Sequence, residues 1–245
     1  MRRAALLVVV GFVLAAANVA QAGEAGDIHY PDLRTLQPSD LKIQRDRPTG
    51  QKLLLFSNTV ANLGPGPLEL EPVNNAFLGT TEAYQHLYTH DSNGDFSFDS
   101  EVLAGKFDFH PAHGHWHFEG FATYELYAVD TNGNPGAFQR SSEKVSFCII
   151  DTGFVDGTLE HSSGQTYTSC GQSVTQGLSV GWSDKYSWYL AGQSVNITGL
   201  ANGDYWLLST VDPEDLLQEG GGATETNNTA AVKIRIRANG VKILP

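Results

Sequence analysis

The chain has 245 residues, with 15 Lys and Arg against 27 Asp and Glu, a formal net charge of −12 at pH 7 and a pI near 4.9. So acidic a chain is a poor partner for nucleic acid or an anionic membrane, although its field could gather cationic ligands. With two cysteines, it cannot be a disulfide-dense scaffold.

Residues 1–22, MRRAALLVVVGFVLAAANVAQA, join two arginines to an apolar stretch and a small-x-small ending at Ala20 and Ala22. That is the form of a secretory signal peptide cleaved after Ala22; a signal anchor is the alternative for so long an apolar run. Cleavage removes Arg2 and Arg3 and no acid, leaving 13 basic against 27 acidic residues and a net charge of −14. No second apolar stretch of that length follows. The expected product, residues 23–245, is a soluble secreted, periplasmic or extracellular chain with no membrane contact after signal removal. It shows no repeat and no linker, so one domain is expected.

The periodic segments then read as strands. QKLLLFSNTVANLG, FATYELYAV, KVSFCIID, SVNITGL, DYWLLSTV and AAVKIRIRA are rich in β-branched and aromatic residues, and VKIRIR alternates with period two. Turn signals separate them at Gly64-Pro65-Gly66, Asn93-Gly94, Asn132-Gly133 and Asn202-Gly203. No dozen-residue stretch carries an apolar helical stripe with caps. The expected fold is an all-β, single-domain antiparallel sandwich with long irregular loops, the longest running from Asp151 to Ala191.

DSNGDFSFD, residues 91–99, imitates an EF-hand loop but lacks Gly at its sixth position, and no helices flank it. A solvated turn is expected there. Asn196-Ile197-Thr198 and Asn227-Asn228-Thr229 fit the glycosylation pattern, which has meaning only on a eukaryotic secretory route.

Between these strands lies FHPAHGHWHF, residues 109–118, which holds four of the eight histidines. His113, His115 and His117 alternate. On a strand, residues two apart share a face at roughly 6.7 Å, so neighbouring pairs can reach one ion through bonds of about 2 Å. All three together span roughly 13 Å on a flat strand, so a common ion requires a bend, which Pro111 and Gly114 could supply. Three like histidines on one face repel when protonated and are costly to bury. A metal site follows, and its nitrogen donors favour Cu(II) or Zn(II) over Mg or Ca. His110 stays outside the core set, as a fourth or outer group. Cys148 and Cys170 are an even pair for an oxidising compartment, so a disulfide is expected and a cysteine nucleophile is not.

The sequence here resembles the catalytic domain of the lysyl oxidase family, from Pro31-Asp32-Leu33 to about Arg237. His113, His115 and His117 match its His-x-His-x-His copper motif. EKVSFCIIDT resembles the stretch around its cofactor lysine, placing Lys144 there, and TQGLSVGWSDKYSW resembles the stretch around its tyrosine, placing Tyr186 there. The resemblance implies a copper-dependent amine oxidase whose lysine tyrosylquinone forms from these two side chains. Its substrates would be O₂ and a primary amine or a lysine-bearing protein, and its products an aldehyde, hydrogen peroxide and ammonia. VDPEDLLQEGGGATETNNT resembles the family's calcium stretch, which implies Asp32, the Leu33 carbonyl, Glu219, Asn227 and Asn228 as ligands, with Glu225 a looser match.

Three departures accompany the match. Animal members carry many more cysteines. A further histidine of the family is replaced at about Thr123, so no general base carries over. Neither a long pro-region nor extra domains are expected, which would suit a minimal, microbial member. The residues alone leave rivals open: a non-enzymatic copper- or zinc-binding sandwich, a zinc hydrolase or lyase, and an adhesive domain.

Overall fold

The computed structural model describes residues 26–245 except 78, 92, 112, 163 and 221–223. The expected signal peptide lies outside the described residues. Sixteen strands and no helix occur among those described. In chain order they begin with β1 (Leu33–Thr35), β2 (Ser39–Arg45), β3 (Lys52–Asn62), β4 (Leu68–Asn75), β5 (Thr80–His90) and β6 (Phe96–His110). Next come β7 (His115–Phe118), β8 (Ala122–Val129), β9 (Pro135–Ser141), β10 (Gly153–Phe154) and β11 (Gln176–Leu178). The last are β12 (Trp182–Tyr186), β13 (Ser194–Asn196), β14 (Gly203–Val211), β15 (Thr229–Arg237) and β16 (Gly240–Ile243).

They form three antiparallel sheets. The first runs β1-β3-β12-β10, with β2 and β13 also paired to β3; the second runs β11-β4-β5-β6-β7 and the third β16-β15-β14-β8-β9. β3 is the hub, and most of its side chains are buried whether apolar or polar. Its buried Asn62 is satisfied by donating to the Gly66 and Leu178 carbonyls, as a polar group in a core requires.

In the third sheet the period-two pattern decides the faces. Val232, Ile234 and Ile236 point inward, while Arg235 and Arg237 stay exposed. Tyr205, Leu207 and Val211 of β14 and Tyr124 and Leu126 of β8 complete that inner face. It packs on the first sheet, where the Phe56 and Tyr124 rings meet edge to face at 4.8 Å and Ser209 donates to Asn58 at 2.9 Å. Leu68, Leu70, Ala83, Phe107 and Phe118 bring the second sheet into the same apolar cluster.

The all-β reading holds, with two local differences. KVSFCIID is not a strand: it makes a single bridge, Phe118 to Phe147, because its backbone bonds scatter to Phe118, Tyr167 and Gly177 and its Ile149 and Ile150 N–H groups go to side chains, with no continuous ladder. β5 and β6, by contrast, are long strands built from TTEAYQHLYTH and FSFDSEVLAGKFDFH, whose mixed polarity hid them. The expected turn is closed by Asp91 accepting the Asn93 and Asp95 N–H groups, and β6 starts immediately after it.

Candidate metal and cofactor site

β6 and β7 form a hairpin with His110 opposite His115, Asp108 opposite His117 and Phe107 opposite Phe118. Its turn is closed by the His113 and Gly114 N–H groups, both donating to the His110 carbonyl. Gly114 has φ +72°, a left-handed conformation that costs glycine nothing. The turn supplies the bend that a common ion demands. His113 stands in the loop rather than on the strand, so its side chain folds back over His115 and His117.

Three nitrogens converge. His113 Nδ1 is 3.2 Å and His115 Nε2 is 3.0 Å from His117 Nε2. Two ligands of one tetrahedral ion, with bonds of about 2.0–2.1 Å, sit about 3.3 Å apart. The spacing fits a metal. His117 is 1% exposed, and its Nδ1 lies 3.2 Å from Ser146 Oγ, which leaves Nε2 as the free nitrogen. Burial, then the Lys144 charge and the neighbouring imidazoles, lowers the His113 pKa to about 4 and the His117 pKa to about 3. Burial lowers His115 as well. Neutral imidazole is the state that ligates.

His110 belongs with them. Nitrogens of His110, His113 and His117 lie within 4.8 Å of one another, the His110 ring stacks on His117 at 4.6 Å, and the buried His110 Nδ1 has no hydrogen-bond partner. This trio and the motif trio share His113 and His117. We read them as one four-imidazole cluster, because the close approaches of His115 and of His110 both end on His117.

Lys144 and Tyr186 meet beside this hairpin. Lys144 is 9% exposed, and its Nζ sits 4.7 Å from the ring centres of both Phe147 and Tyr186. Burial lowers its pKa to about 8. Gly192, at φ +77°, leaves room for the lysine stem, since a Cβ there would stand 3.2 Å from Lys144 Cδ. Tyr186 is buried, meets Phe147 edge to face at 4.5 Å and donates its hydroxyl proton to the Cys148 carbonyl. Its pKa is raised by burial first and by Asp184 next.

The expected disulfide is present, Cys148 to Cys170. It links both halves of the site. The Cys148 carbonyl holds Tyr186, and the Cys170 carbonyl accepts the N–H of Trp116, between His115 and His117, at 3.0 Å. Gln176 adds a second tie, accepting from the Ile149 N–H and donating to the Trp116 carbonyl.

A cavity of 320 Å³ opens between these halves, lined by His113, His115, Ile150, Asp184, Tyr186 and Leu190 among others. Asp184 is the residue that sequence reading missed. It is 2% exposed, its oxygens accept only long bonds of 3.3 Å from Ile150 and Thr152, and burial raises its pKa well above that of a free carboxyl. The only sequence signal was its place two residues before Tyr186. Thr123, where a family histidine is replaced, lies on β8 opposite Thr210 and is not among the lining residues.

The residues expected for the other site also lie together. Glu219, 1% exposed, accepts from the Leu33 N–H and from Asn228, while Asp32 accepts from Asn227 at 2.9 Å and pairs with Arg34 at 2.5 Å. Asn227 Oδ1 and Asn228 Oδ1 are buried with no partner. Burial raises the Glu219 pKa to about 8. Oxygen donors with unmet valence beside a buried carboxyl suit Ca²⁺.

Comparison with known proteins shows the family. The lysyl oxidase family model matches residues 85–244. Lysyl oxidase homolog 2B of Danio rerio and lysyl oxidase homolog 2 of Xenopus tropicalis are each 30% identical over 153 residues, and lysyl oxidase homolog 2 of Bos taurus is 29% identical over the same length. Each match covers 62% of this chain but 18% of the relative. With the family model spanning well over half its residues, the chain belongs to the lysyl oxidase family.

Proposed function

We propose that the chain is an exported copper- and quinone-dependent amine oxidase that converts primary amines, peptidyl lysine included, to aldehydes. O₂ is the oxidant, and hydrogen peroxide and ammonia are released. Family membership supports the general class, an oxidoreductase of the copper amine oxidase kind. One observation carries the specific reading: His113, His115, Asp184 and Tyr186 share a cavity, with Lys144 Nζ 4.7 Å from the Tyr186 ring. The leading residues as a signal peptide and the disulfide both suit export to an oxidising compartment.

In this reading His113, His115 and His117 hold copper, with His110 as a fourth imidazole. Lys144 and Tyr186 are the precursors of lysine tyrosylquinone. Copper with O₂ supplies oxidation of the phenol ring, and the quinone supplies a carbonyl for the amine and a sink for its electrons. The remaining work falls to the chain itself. Lys144, its pKa lowered to about 8 by burial, offers roughly a tenth of its amine in the neutral form at pH 7, beside the Tyr186 ring. The Cys148 carbonyl fixes the direction of the Tyr186 hydroxyl. Asp184, made more basic by its burial, takes the proton from the substrate carbon beside the nitrogen. Ile150 and Leu190 give the cavity apolar walls.

Ca²⁺ at Asp32, Leu33, Glu219, Asn227 and Asn228 is proposed as a structural ion, supported by the two unpartnered amide oxygens. It should raise the melting midpoint of the wild-type chain and leave Glu219→Gln unmoved.

Tandem mass spectrometry of protein matured with copper in air, after phenylhydrazine trapping, tests the main reading. A hydrazone-bearing peptide joining Lys144 to Tyr186 is expected. Copper-loaded protein that yields both residues as free peptides would instead favour a non-enzymatic copper- or zinc-binding protein.

A further inference from the structure

Three of the four histidines outside the hairpin also meet. His29 precedes β1 and attaches to β5 through its N–H, which donates to the Tyr88 carbonyl at 2.7 Å. His90 is the last residue of β5. His161 lies in the irregular segment that follows β10, with φ +66°. The His29 and His161 rings each lie 3.8 Å from His90 and 6.1 Å from each other. Phe96 closes one side, 4.9 Å from His90 and 5.5 Å from His161.

Aromatic packing alone does not account for this trio. His90 Nε2 is buried without a hydrogen-bond partner among the described residues, a defect that phenylalanine at the same place would not carry. His161 holds a left-handed backbone, which favours glycine, and its ring rests on His90. Glu160 adds a carboxylate oxygen 3.6 Å from His161 Nε2.

We propose that His29, His90 and His161 form a second metal site for an imidazole-seeking divalent ion, Zn²⁺ or Cu²⁺. Nitrogen donors with one nearby carboxylate select such ions over Ca²⁺ and Mg²⁺. Rings that share a tetrahedral ion, with bonds of about 2.0–2.1 Å, have centres about 5 Å apart. The donor nitrogens of this trio do not all lie within 4.8 Å of one another in this structure, so the stacked His29 and His90 rings must fan open by at least about 1 Å, through the soft ring torsion of histidine. The site's role is structural. It would clamp the segment before β1 to the end of β5 and to the loop after β10, three stretches that the Cys148–Cys170 disulfide does not join to one another. The proposal does not depend on amine oxidation.

Zinc titration of the chelator-stripped chain, read by dialysis and elemental analysis, tests it. The wild type should retain two equivalents more than its calcium-site background, His90→Asn one, and His117→Asn one. Zinc should raise the melting midpoint of His117→Asn through the His29, His90 and His161 site, whereas in His90→Asn no further rise should follow once its single hairpin equivalent is bound. His161→Gly removes a ligand while relieving the left-handed backbone, so it gives the same readout if His90→Asn does not fold. Cu²⁺ titration followed by electron paramagnetic resonance should show two nitrogen-coordinated signals in the wild type and one in each variant. One equivalent in the wild type, or two retained in both His90→Asn and His161→Gly, overturns the proposal.

Discussion

His115 and His117 sit two residues apart on one strand, and the turn that returns His113 to them is closed by their own hairpin. Lys144 and Tyr186 have no such local arrangement. Tyr186 donates to a carbonyl 38 residues away, and Lys144 rests in a segment with one bridge and no ladder. One half of the site is built by local register and the other by long-range packing, and the disulfide is the joint between them. The difference teaches where each half is vulnerable. The hairpin should survive distant damage that misplaces the lysine and tyrosine.

The widest separation comes from His117→Ala against Tyr186→Phe. The first removes the nitrogen shared by both trios, and copper affinity should fall by more than about 100-fold, beyond the loss typical of an outer-shell partner. The second should keep copper, because no hairpin contact changes, yet form no phenylhydrazine adduct. Both should show only background amine oxidation. Equilibrium dialysis beside adduct spectroscopy reads the two effects; loss of copper in Tyr186→Phe would mean the halves are not separable.

Asp184→Asn sharpens the second half. The amide is nearly isosteric but cannot accept the substrate proton, so kcat should drop roughly 10²–10⁴-fold while copper content and adduct yield hold. A deuterium isotope effect on the substrate carbon should grow as that step becomes limiting. An unchanged kcat assigns the proton to another group.

Breaking the joint is next in size. Serine at Cys148 and Cys170 should cost about 3 kcal/mol of stability, measured by denaturant unfolding. Copper binding should weaken less than cross-link formation, since the hairpin retains its own ladder. Equal losses would show that the metal half also depends on the disulfide.

The smallest effect concerns pH. The Lys144 amine must be neutral to add to the ring, and burial brings its pKa down to about 8 from the ordinary 10.5. Cross-link formation should therefore rise with pH up to about 8 and level off above it, a near-tenfold gain per unit on the rising limb. Time-resolved absorbance during copper-initiated maturation follows it. A rise continuing to pH 10 would show that the lysine is solvated at that stage.

The histidine run was legible because its order is local: alternation places His115 and His117 on one face, and Gly114 marks the turn. VKIRIR and DYWLLSTV were legible for the same reason, with one face buried and one wet. β5 and β6 were not, because glutamates, histidines and tyrosines alternate along them in networks such as His86 with Glu69 and Glu71, which carry no hydrophobic period. Lys144 and Tyr186 were found through resemblance alone, since a lysine and a tyrosine have no spacing signature of their own.

By itself the sequence determined the all-β class, the histidine run, the cysteine pair and the residues around which an oxidase site could be built. Tertiary structure decided that His110 joins the hairpin cluster, that Asp184 faces the cavity, and that the disulfide's two carbonyls hold opposite halves of the site. It also brought His29, His90 and His161 together from three segments. The reason is physical. Period and turn chemistry act over a few residues and are written in neighbours, whereas desolvation and convergence depend on which distant segments close over a group.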